Sequence, residues 1–330
     1  MEDIIVTGST GFIGRRLIRD LLNVYETDRI LCLIRDETNE LELSGRKILN
    51  ELNVKTKPID LVSGKGLEDL PKNPKIIFHL AASTESGEKD HRCNDKGTKN
   101  LLNAFPGLNK DTKFIFTSTT AIFSGRKDLD QPLTKYSAPS PSNEYGRTKL
   151  AAENILSEYS ERSGIQCMVF RLSTVWGDGT RKDGLFDKIN KLVKTGSLIP
   201  RFDWKGMTGL INVDNVSDIL VSASNYKPEK DFSVNILSHE SLTLARISEV
   251  IHRKNNVEYK KIKLAVFIWK AAEITARRSA AFEKIMPGGL YNLFWRLNLI
   301  VNDSLHCKPD EFLENLSDLK IELKNFCDDY

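Results

Sequence analysis

A tyrosine and a lysine stand four residues apart near the middle of the chain, at Tyr145 and Lys149. If the residues from Glu144 onward form a helix, the two side chains share one face of it. A phenol has a pKa of about 10, which is too high for proton transfer at neutral pH, but a neighbouring ammonium group favours the phenolate and lowers that pKa. The spacing therefore indicates an acid–base pair, although such pairs also occur by chance on helix surfaces.

A strand predicted over residues 113–120 precedes this pair and ends in a run of hydroxyl side chains. A hydroxyl from Thr119 or Ser118 could hold a substrate oxygen beside the phenol of Tyr145. The strand end and the helix together therefore predict the acid–base centre.

The stretch Thr7–Gly14 reads T-G-S-T-G-F-I-G and separates a short β-branched run from a helical pattern of apolar residues. In this context Gly8 would allow a tight turn, Gly11 a close approach of the backbone to a pyrophosphate, and Gly14 close packing of the helix on the strand. The helix N-terminus would then face the negative charge. We interpret the stretch as a dinucleotide site; the alternative is an ordinary turn between a strand and a helix.

The next apolar strand ends in Arg35 and Asp36. An acidic side chain at this strand end commonly binds the ribose hydroxyls of NAD, whereas an arginine suits the 2′-phosphate of NADP. Because Arg35 comes first, NADP is the predicted cofactor and NAD is the alternative.

Strands alternate with helices over the first half of the chain, which predicts an α/β fold: a Rossmann-type doubly wound parallel sheet with its ligands at the carboxyl ends of the strands. We expect a dinucleotide-binding domain over residues 1–178. Residues 179–330 are expected to form a smaller, mixed C-terminal substrate lobe that partly returns to the first domain. His79, inside an apolar strand, is interpreted as structural rather than catalytic.

Several motifs occur in one order along the chain, and together they resemble the extended short-chain dehydrogenase/reductases, also called the NAD-dependent epimerase/dehydratase family. The resemblance runs from Ile4 to about Val221. The motif-bearing segments are Thr7–Gly14, His79–Ala82, Asn94–Thr98, Ser118–Ser124, Tyr145–Lys149, Arg171–Gly177 and Asn212–Val216.

The resemblance implies hydride transfer, with Tyr145 as acid and base, Lys149 on the nicotinamide ribose, and Thr119 on the substrate carbonyl. Asp60, at a short predicted strand end, could meet the adenine. The expected cofactor-binding residues are Gly8, Thr10, Gly11, Phe12, Ile13, Gly14, Arg35, Asp60, Leu61, Leu80, Ala81, Ala82, Asn94, Ser118, Tyr145, Lys149, Leu172 and Val175.

The chain also departs from the family pattern. Leu172 replaces a proline, Asn215 varies the V-D-D motif, and Thr208 stands about where many nucleotide-sugar members carry an arginine that clamps the substrate pyrophosphate. These departures favour an NADP-preferring oxidoreductase that interconverts a ketone and a secondary alcohol. The alternatives are a nucleotide-sugar epimerase or dehydratase with tightly bound NAD, and a dinucleotide-binding sensor without turnover.

The totals exclude other classes of function. The chain has 330 residues and a formal net charge of +3, with its cysteines and histidines dispersed, so neither nucleic-acid binding nor a metal site is expected. No apolar run approaches the roughly 18 residues of a membrane span. We predict a cytoplasmic protein with a small-molecule substrate and, by analogy with the family, a homodimer.

Two C-terminal stretches carry weaker expectations. The basic, aromatic-rich residues 261–297 could lie on a membrane surface, but helices that pack their apolar sides inward are the favoured interpretation. The last residues, 327–330, are expected to form a frayed tail.

Overall fold

The computed structural model describes residues 2–37, 39–84, 90–126, 128, 131–180, 184–278, 305–308, 312 and 321–330. The statements about structure below concern these residues.

A seven-stranded sheet forms the centre of the protein, in the order β3-β2-β1-β4-β5-β6-β9, and every neighbouring pair of strands is parallel. The order reverses direction between β1 and β4, which confirms the doubly wound α/β prediction. The strands are β1 (Ile4–Thr7), β2 (Ile30–Arg35), β3 (Lys55–Ile59), β4 (Ile76–His79), β5 (Lys113–Thr119), β6 (Gln166–Leu172) and β9 (Phe232–Leu237).

Helices cover both faces of this sheet, because its central strands are apolar on both sides and need a cover on each. Leu17 of α1 and Ile219 of α6 belong to the core on one face, whereas Leu101 of α3 and Leu156 of α4 belong to the core on the other. The helices around the main sheet are α1 (Phe12–Leu21), α2 (Glu40–Glu51), α3 (Lys96–Asn103), α4 (Glu144–Ser163) and α6 (Val213–Asn225).

A smaller α/β lobe follows, in agreement with the sequence. Its three-stranded sheet has the order β10-β8-β7, in which β7 is parallel and β10 antiparallel to β8. Beyond residue 178, α6 and β9 return to the main sheet. The lobe consists of β7 (Thr174–Trp176), α5 (Leu185–Lys194), β8 (Met207–Asn212), β10 (Glu240–Thr243), α7 (Leu244–Lys254), α8 (Val266–Arg278) and α9 (Phe326–Asp329).

The predicted frayed tail is wrong, because the last residues complete the core of the lobe. The Phe326 ring is 0% exposed and lies 5.2 Å from the ring centroid of Phe186 and 5.3 Å from that of Trp176. Asn215 at the start of α6 holds the incoming segment, since its amide donates to the carbonyl of Glu322 and its oxygen accepts from the backbone N–H of Lys324. Aromatic burial thus outweighs the entropy of the chain end.

The basic segment after α7 is helical from Val266, and its apolar side chains divide into two groups. Trp269 is buried against Trp204 with ring centroids 5.2 Å apart, whereas Phe267 is 73% exposed. Residues 288–297, which entered the same sequence hypothesis, lie outside the described residues. Among the described residues no helix combines the length and the apolarity that crossing a membrane requires.

We expect Phe326→Ala to lower the free energy of unfolding by about 3 to 5 kcal/mol, the cost of emptying a buried aromatic site. Phe267→Ala is the matched control, and its effect should stay within about 0.5 kcal/mol because that ring faces solvent. Urea denaturation followed by tryptophan fluorescence measures both. Equal effects of the two changes would contradict the docking of α9.

Candidate active site

The glycine turn is pressed against the end of β4. Gly8 has a φ of +70°, and a Cβ atom there would lie 2.6 Å from the backbone nitrogen of Ala81. A Cβ on Gly14 would lie 2.1 Å from the carbonyl oxygen of Gly8. Only glycine therefore lets the turn close between the strand and α1.

The same turn leaves the start of α1 suited to an anion. Gly11 is the N-cap residue and has no side chain to accept from the first amide groups, and the first turn carries no acidic side chain. Orphan amide groups and the helix dipole together favour a phosphate at such a helix start. The backbone of residues 11–14 thus fits a dinucleotide pyrophosphate, as the glycine spacing predicts.

Helix α2, which the sequence reasoning missed, lies directly beside this turn. Thr10 donates from its hydroxyl to the carboxylate of Glu42 over 2.8 Å, and Glu42 is itself buried. Arg46, one helical turn later, lies 3.5 Å from the other carboxylate oxygen of Glu42 and also donates to the carbonyl of Arg35. Asn39 caps the helix by accepting from the N–H of Glu42. That asparagine, followed by acidic residues, is the sequence signal that could have identified the helix.

Arg35 ends β2 at the edge of the sheet where the glycine turn lies. Its side chain is 41% exposed and lies 3.4 Å from the carboxylate of Glu37. The guanidinium group is therefore partly exposed beyond the end of the strand and paired with a carboxylate.

His79 lies behind the turn with both ring nitrogens occupied. Its Nδ1 is 2.7 Å from the hydroxyl oxygen of Thr7, and its Nε2 is 2.9 Å from that of Thr98. Burial, helped by the charge of Lys149, lowers its pKa to about 3, so the ring is neutral. This agrees with the structural interpretation of His79.

Three residues predicted to bind the cofactor have side chains that hydrogen-bond to the protein itself: two of them are buried, and the third, Asp60, is exposed. Asn94 is buried, and its amide donates to Ser83 and Thr148. Ser118 is also buried, and its hydroxyl donates to Glu153. Asp60 accepts from the Ser63 hydroxyl, which closes a turn and lowers the pKa of that carboxyl. The sequence pattern thus predicted a position near the site for these residues, but it did not predict where their side chains point.

Of the predicted acid–base pair, Lys149 is more deeply buried than Tyr145. Its Nζ donates to the carbonyl oxygen of Thr117 over 2.8 Å and lies 4.4 Å from the centroid of the Phe116 ring. Burial lowers the pKa of Lys149 to about 8, while Cys93 and Glu153 act in the opposite direction. The ammonium is therefore present below about pH 8 and is lost as the pH rises through that value.

Tyr145 and Thr119 approach the same place from two elements. Tyr145 lies on the first turn of α4, half-buried, with its ring centroid 6.1 Å from that of His91. The first turn of α4 touches the turn that follows Thr119, where a Cβ on Gly146 would lie 2.8 Å from the carbonyl of Ala121. The Thr119 hydroxyl oxygen accepts from the N–H of Ala121 over 3.1 Å. The structure thus brings the end of β5 and the start of α4 together at one sheet edge.

The remaining predicted residues lie at this edge because all the strands of the sheet are parallel. Leu80–Ala82 follow β4, and the N–H of Ala81 donates to the Thr7 hydroxyl over 3.1 Å. Leu172 ends β6. Val175 belongs to β7, in the smaller sheet, and packs partly buried against the core that contains Leu172. Side chains at these positions are available to line the site but carry no charge.

A threonine on β8 occupies the position where many nucleotide-sugar members of the family carry an arginine. Thr208 is buried on β8, and its hydroxyl oxygen lies 3.0 Å from that of Thr174 on β7. A separate cleft of about 350 Å³ lies between the loop 177–180 and α5, bounded by Tyr330, and none of the predicted catalytic residues lines it. Among the described residues, no three His, Cys, Asp or Glu side chains gather in a way that could hold a metal ion.

The parallel sheet and the glycine turn are the features of a Rossmann-type fold, and Tyr145 and Lys149 lie on one helix at the edge of that sheet. The chain belongs to the NAD dependent epimerase/dehydratase family, whose sequence model matches residues 4–233.

Individual relatives are more distant. D-erythronate dehydrogenase of Haemophilus influenzae is 31% identical over 181 residues, 52% of this chain and 54% of the relative, so the match spans about half of that protein. A putative UDP-glucose 4-epimerase of Methanocaldococcus jannaschii is 25% identical over 93% of both chains. The crystal structure of UDP-glucuronic acid 4-epimerase from Bacillus cereus, in complex with UDP-glucuronic acid and NAD, shares the fold. Its TM-score is 0.73 at 19% identity, and the alignment covers 100% of this chain and 96% of that one.

We expect Gly14→Ala to weaken cofactor binding about tenfold or more. The added methyl group displaces the turn and costs at least one hydrogen bond to a charged phosphate, about 1.5 to 3 kcal/mol. Gly196→Ala is the control for backbone strain outside the turn, because Gly196 has a φ of +71° and no atom lies within 4 Å of an added Cβ. Calorimetric titration with NADH and NADPH measures the effect. Unchanged affinity in Gly14→Ala would contradict the assignment of a pyrophosphate to the glycine turn.

Proposed function

We propose that the protein is an epimerase or dehydratase of a nucleotide sugar, in which the nicotinamide cofactor is reduced and reoxidised within one turnover. The observation that carries this proposal is the match along nearly the whole chain, 93% of both proteins, to the putative UDP-glucose 4-epimerase. The fold shared with UDP-glucuronic acid 4-epimerase supports it. These similarities favour the nucleotide-sugar alternative over the simple ketone reductase that the sequence departures suggested.

The side chains of the site divide the chemistry between them. The Thr119 hydroxyl oxygen already accepts from Ala121, which leaves its hydrogen to donate to the reacting oxygen of the substrate. Tyr145 takes the proton from the substrate hydroxyl and returns it to the carbonyl. A bound nicotinamide supplies the hydride acceptor and donor.

Lys149 has two functions in this scheme. One of its three N–H groups donates to Thr117, which leaves two for the ribose hydroxyls of the cofactor. Its positive charge, one helical turn from Tyr145, favours the phenolate. The pKa of about 8 keeps this charge in place at neutral pH.

A second candidate is an NADP-dependent reductase of a ketone or secondary alcohol with a dissociable cofactor. Two observations favour it: the Arg35 side chain beyond the end of β2, and the contact of Thr208 with Thr174 in place of a cation on β8. An arginine pair with phosphate gives strong bidentate hydrogen bonds, which suits the 2′-phosphate of NADP.

The first test uses the purified protein without added cofactor. We expect NAD to be released on acid extraction, and UDP-glucose or UDP-glucuronic acid to be converted to its epimer or to a dehydrated product. An empty site, together with turnover only on added NADPH and a ketone, would overturn the first proposal and support the second candidate.

We expect Tyr145→Phe to abolish turnover, a loss of about 10² to 10⁴, because the acid–base group is removed. The matched control is Tyr136→Phe, since Tyr136 is 79% exposed on a loop. Calorimetry should show that both variants still bind the cofactor. Turnover that survives in Tyr145→Phe would refute the site.

We expect Arg35→Ala to weaken NADPH binding about tenfold or more and to leave NADH binding within about twofold, because the 2′-phosphate is absent from NADH. Arg246→Ala is the control; Arg246 is a similarly exposed arginine paired with Glu249 on α7. Calorimetric titrations of both variants give the comparison. Equal losses for the two cofactors in Arg35→Ala would place Arg35 away from the 2′-phosphate.

A further inference from the structure

A buried ionic cluster lies behind the acid–base pair and takes no part in the scheme above. Its members are Ser118, Glu153 and Arg171, and Glu153 is only 3% exposed. The Arg171 guanidinium forms a fork on the Glu153 carboxylate, with contacts of 2.7 Å from Nη2 and 3.2 Å from Nε. The Ser118 hydroxyl donates to the other carboxylate oxygen. The carboxylate is thus hydrogen-bonded on both oxygens.

The cluster joins the three elements that carry the site. Glu153 follows Lys149 by one helical turn on α4, so the two side chains share a face. Ser118 immediately precedes Thr119 on β5, and Arg171 is its partner across the strand pair on β6. One carboxylate therefore links the helix of the acid–base pair to the strand of the catalytic hydroxyl.

The charges around Lys149 come from several elements. On β5 the Thr117 carbonyl and the Phe116 ring face it, and on β4 His79 is kept neutral by burial. Burial opposes the charged form of Lys149, and the groups that counter it are Cys93, before α3, and Glu153. Cys93 is the larger of these two influences, and Glu153 is the carboxylate one helical turn from Lys149, held in place by Arg171 and Ser118.

We propose that Glu153 is a positioning residue of the active site: it favours the ammonium form of Lys149 and holds α4 in register with the end of β5, while Arg171 and Ser118 hold the Glu153 carboxylate in place. The importance of this for catalysis rests on the proposed function of Lys149. The placement of the ammonium itself does not depend on that proposed function.

The test reads Lys149 directly, by NMR of the whole protein labelled with ¹³C and ¹⁵N in its lysine side chains. Lys149→Arg identifies the signal by removing it. We expect Glu153→Gln to lower the pH at which Lys149 loses its proton by about one unit or more, because a neighbouring charge is removed and burial remains. Glu158→Gln, at an exposed position on the same helix, is the matched control and should leave the titration unchanged.

Glu153→Gln leaves Arg171 buried without its counterion, and that variant can fail to fold. The double change Glu153→Met with Arg171→Met replaces the pair by apolar side chains of similar length, which generally restores stability. We expect this variant to fold and Lys149 still to titrate at a lower pH than in the unmodified protein. A cluster that only stabilised the fold would give a double variant with the original titration, and that result would overturn the proposal.

Activity separates this inference from the proposed function. If turnover survives Tyr145→Phe while Glu153→Gln shifts the Lys149 titration, the proposed chemistry fails and the positioning of the ammonium stands. If Tyr145→Phe abolishes turnover but Lys149 titrates alike with and without Glu153, the chemistry stands and the positioning role is overturned. If both the chemistry and the positioning role hold, the alkaline limb of the pH–rate profile of Glu153→Gln should move to lower pH together with the Lys149 titration.

Discussion

A charged group removed from water has to be compensated by its surroundings, and the ammonium of Lys149 imposes that requirement on most of the active site. The Thr117 carbonyl, the Phe116 ring and the Glu153 carboxylate meet it only if α4 lies close against β5. Gly146 permits that closeness at the start of the helix. Helix docking, strand register and proton transfer thus depend on the same few contacts.

The cofactor side of the site has a corresponding constraint, which is steric rather than electrostatic. The turn at Gly8 fits beneath the backbone of Ala81, and the neutral ring of His79 joins β1 to the start of α3 through Thr7 and Thr98. These contacts hold the amide groups of the turn in place before any ligand arrives. Preorganised amides bind phosphate without an ordering cost.

Local patterns explain what the sequence could predict. The glycine turn and the apolar strands each lie within a few residues, so the doubly wound sheet could be predicted from spacing. The pairing of Tyr145 with Lys149 gave the expected site by the same means, and that assignment stays a prediction. Helix α2 was missed because its contact with the turn, Glu42 on Thr10, joins residues far apart in a polar stretch. The direction of the Asn94 and Ser118 side chains could not be predicted for a related reason, since each is set by a partner far away in the sequence, Thr148 for Asn94 and Glu153 for Ser118.

The docking of Phe326 among Trp176 and Phe186 also has a consequence for how the protein is made. These rings are separated by about 150 residues of chain, which a ribosome adds in roughly 10 to 30 seconds. Over that interval the strands of the main sheet can pair. The rings of Trp176 and Phe186 meanwhile lack the cover that Phe326 later gives them. The core of the lobe is therefore completed by a segment that is synthesised long after the rings it packs against.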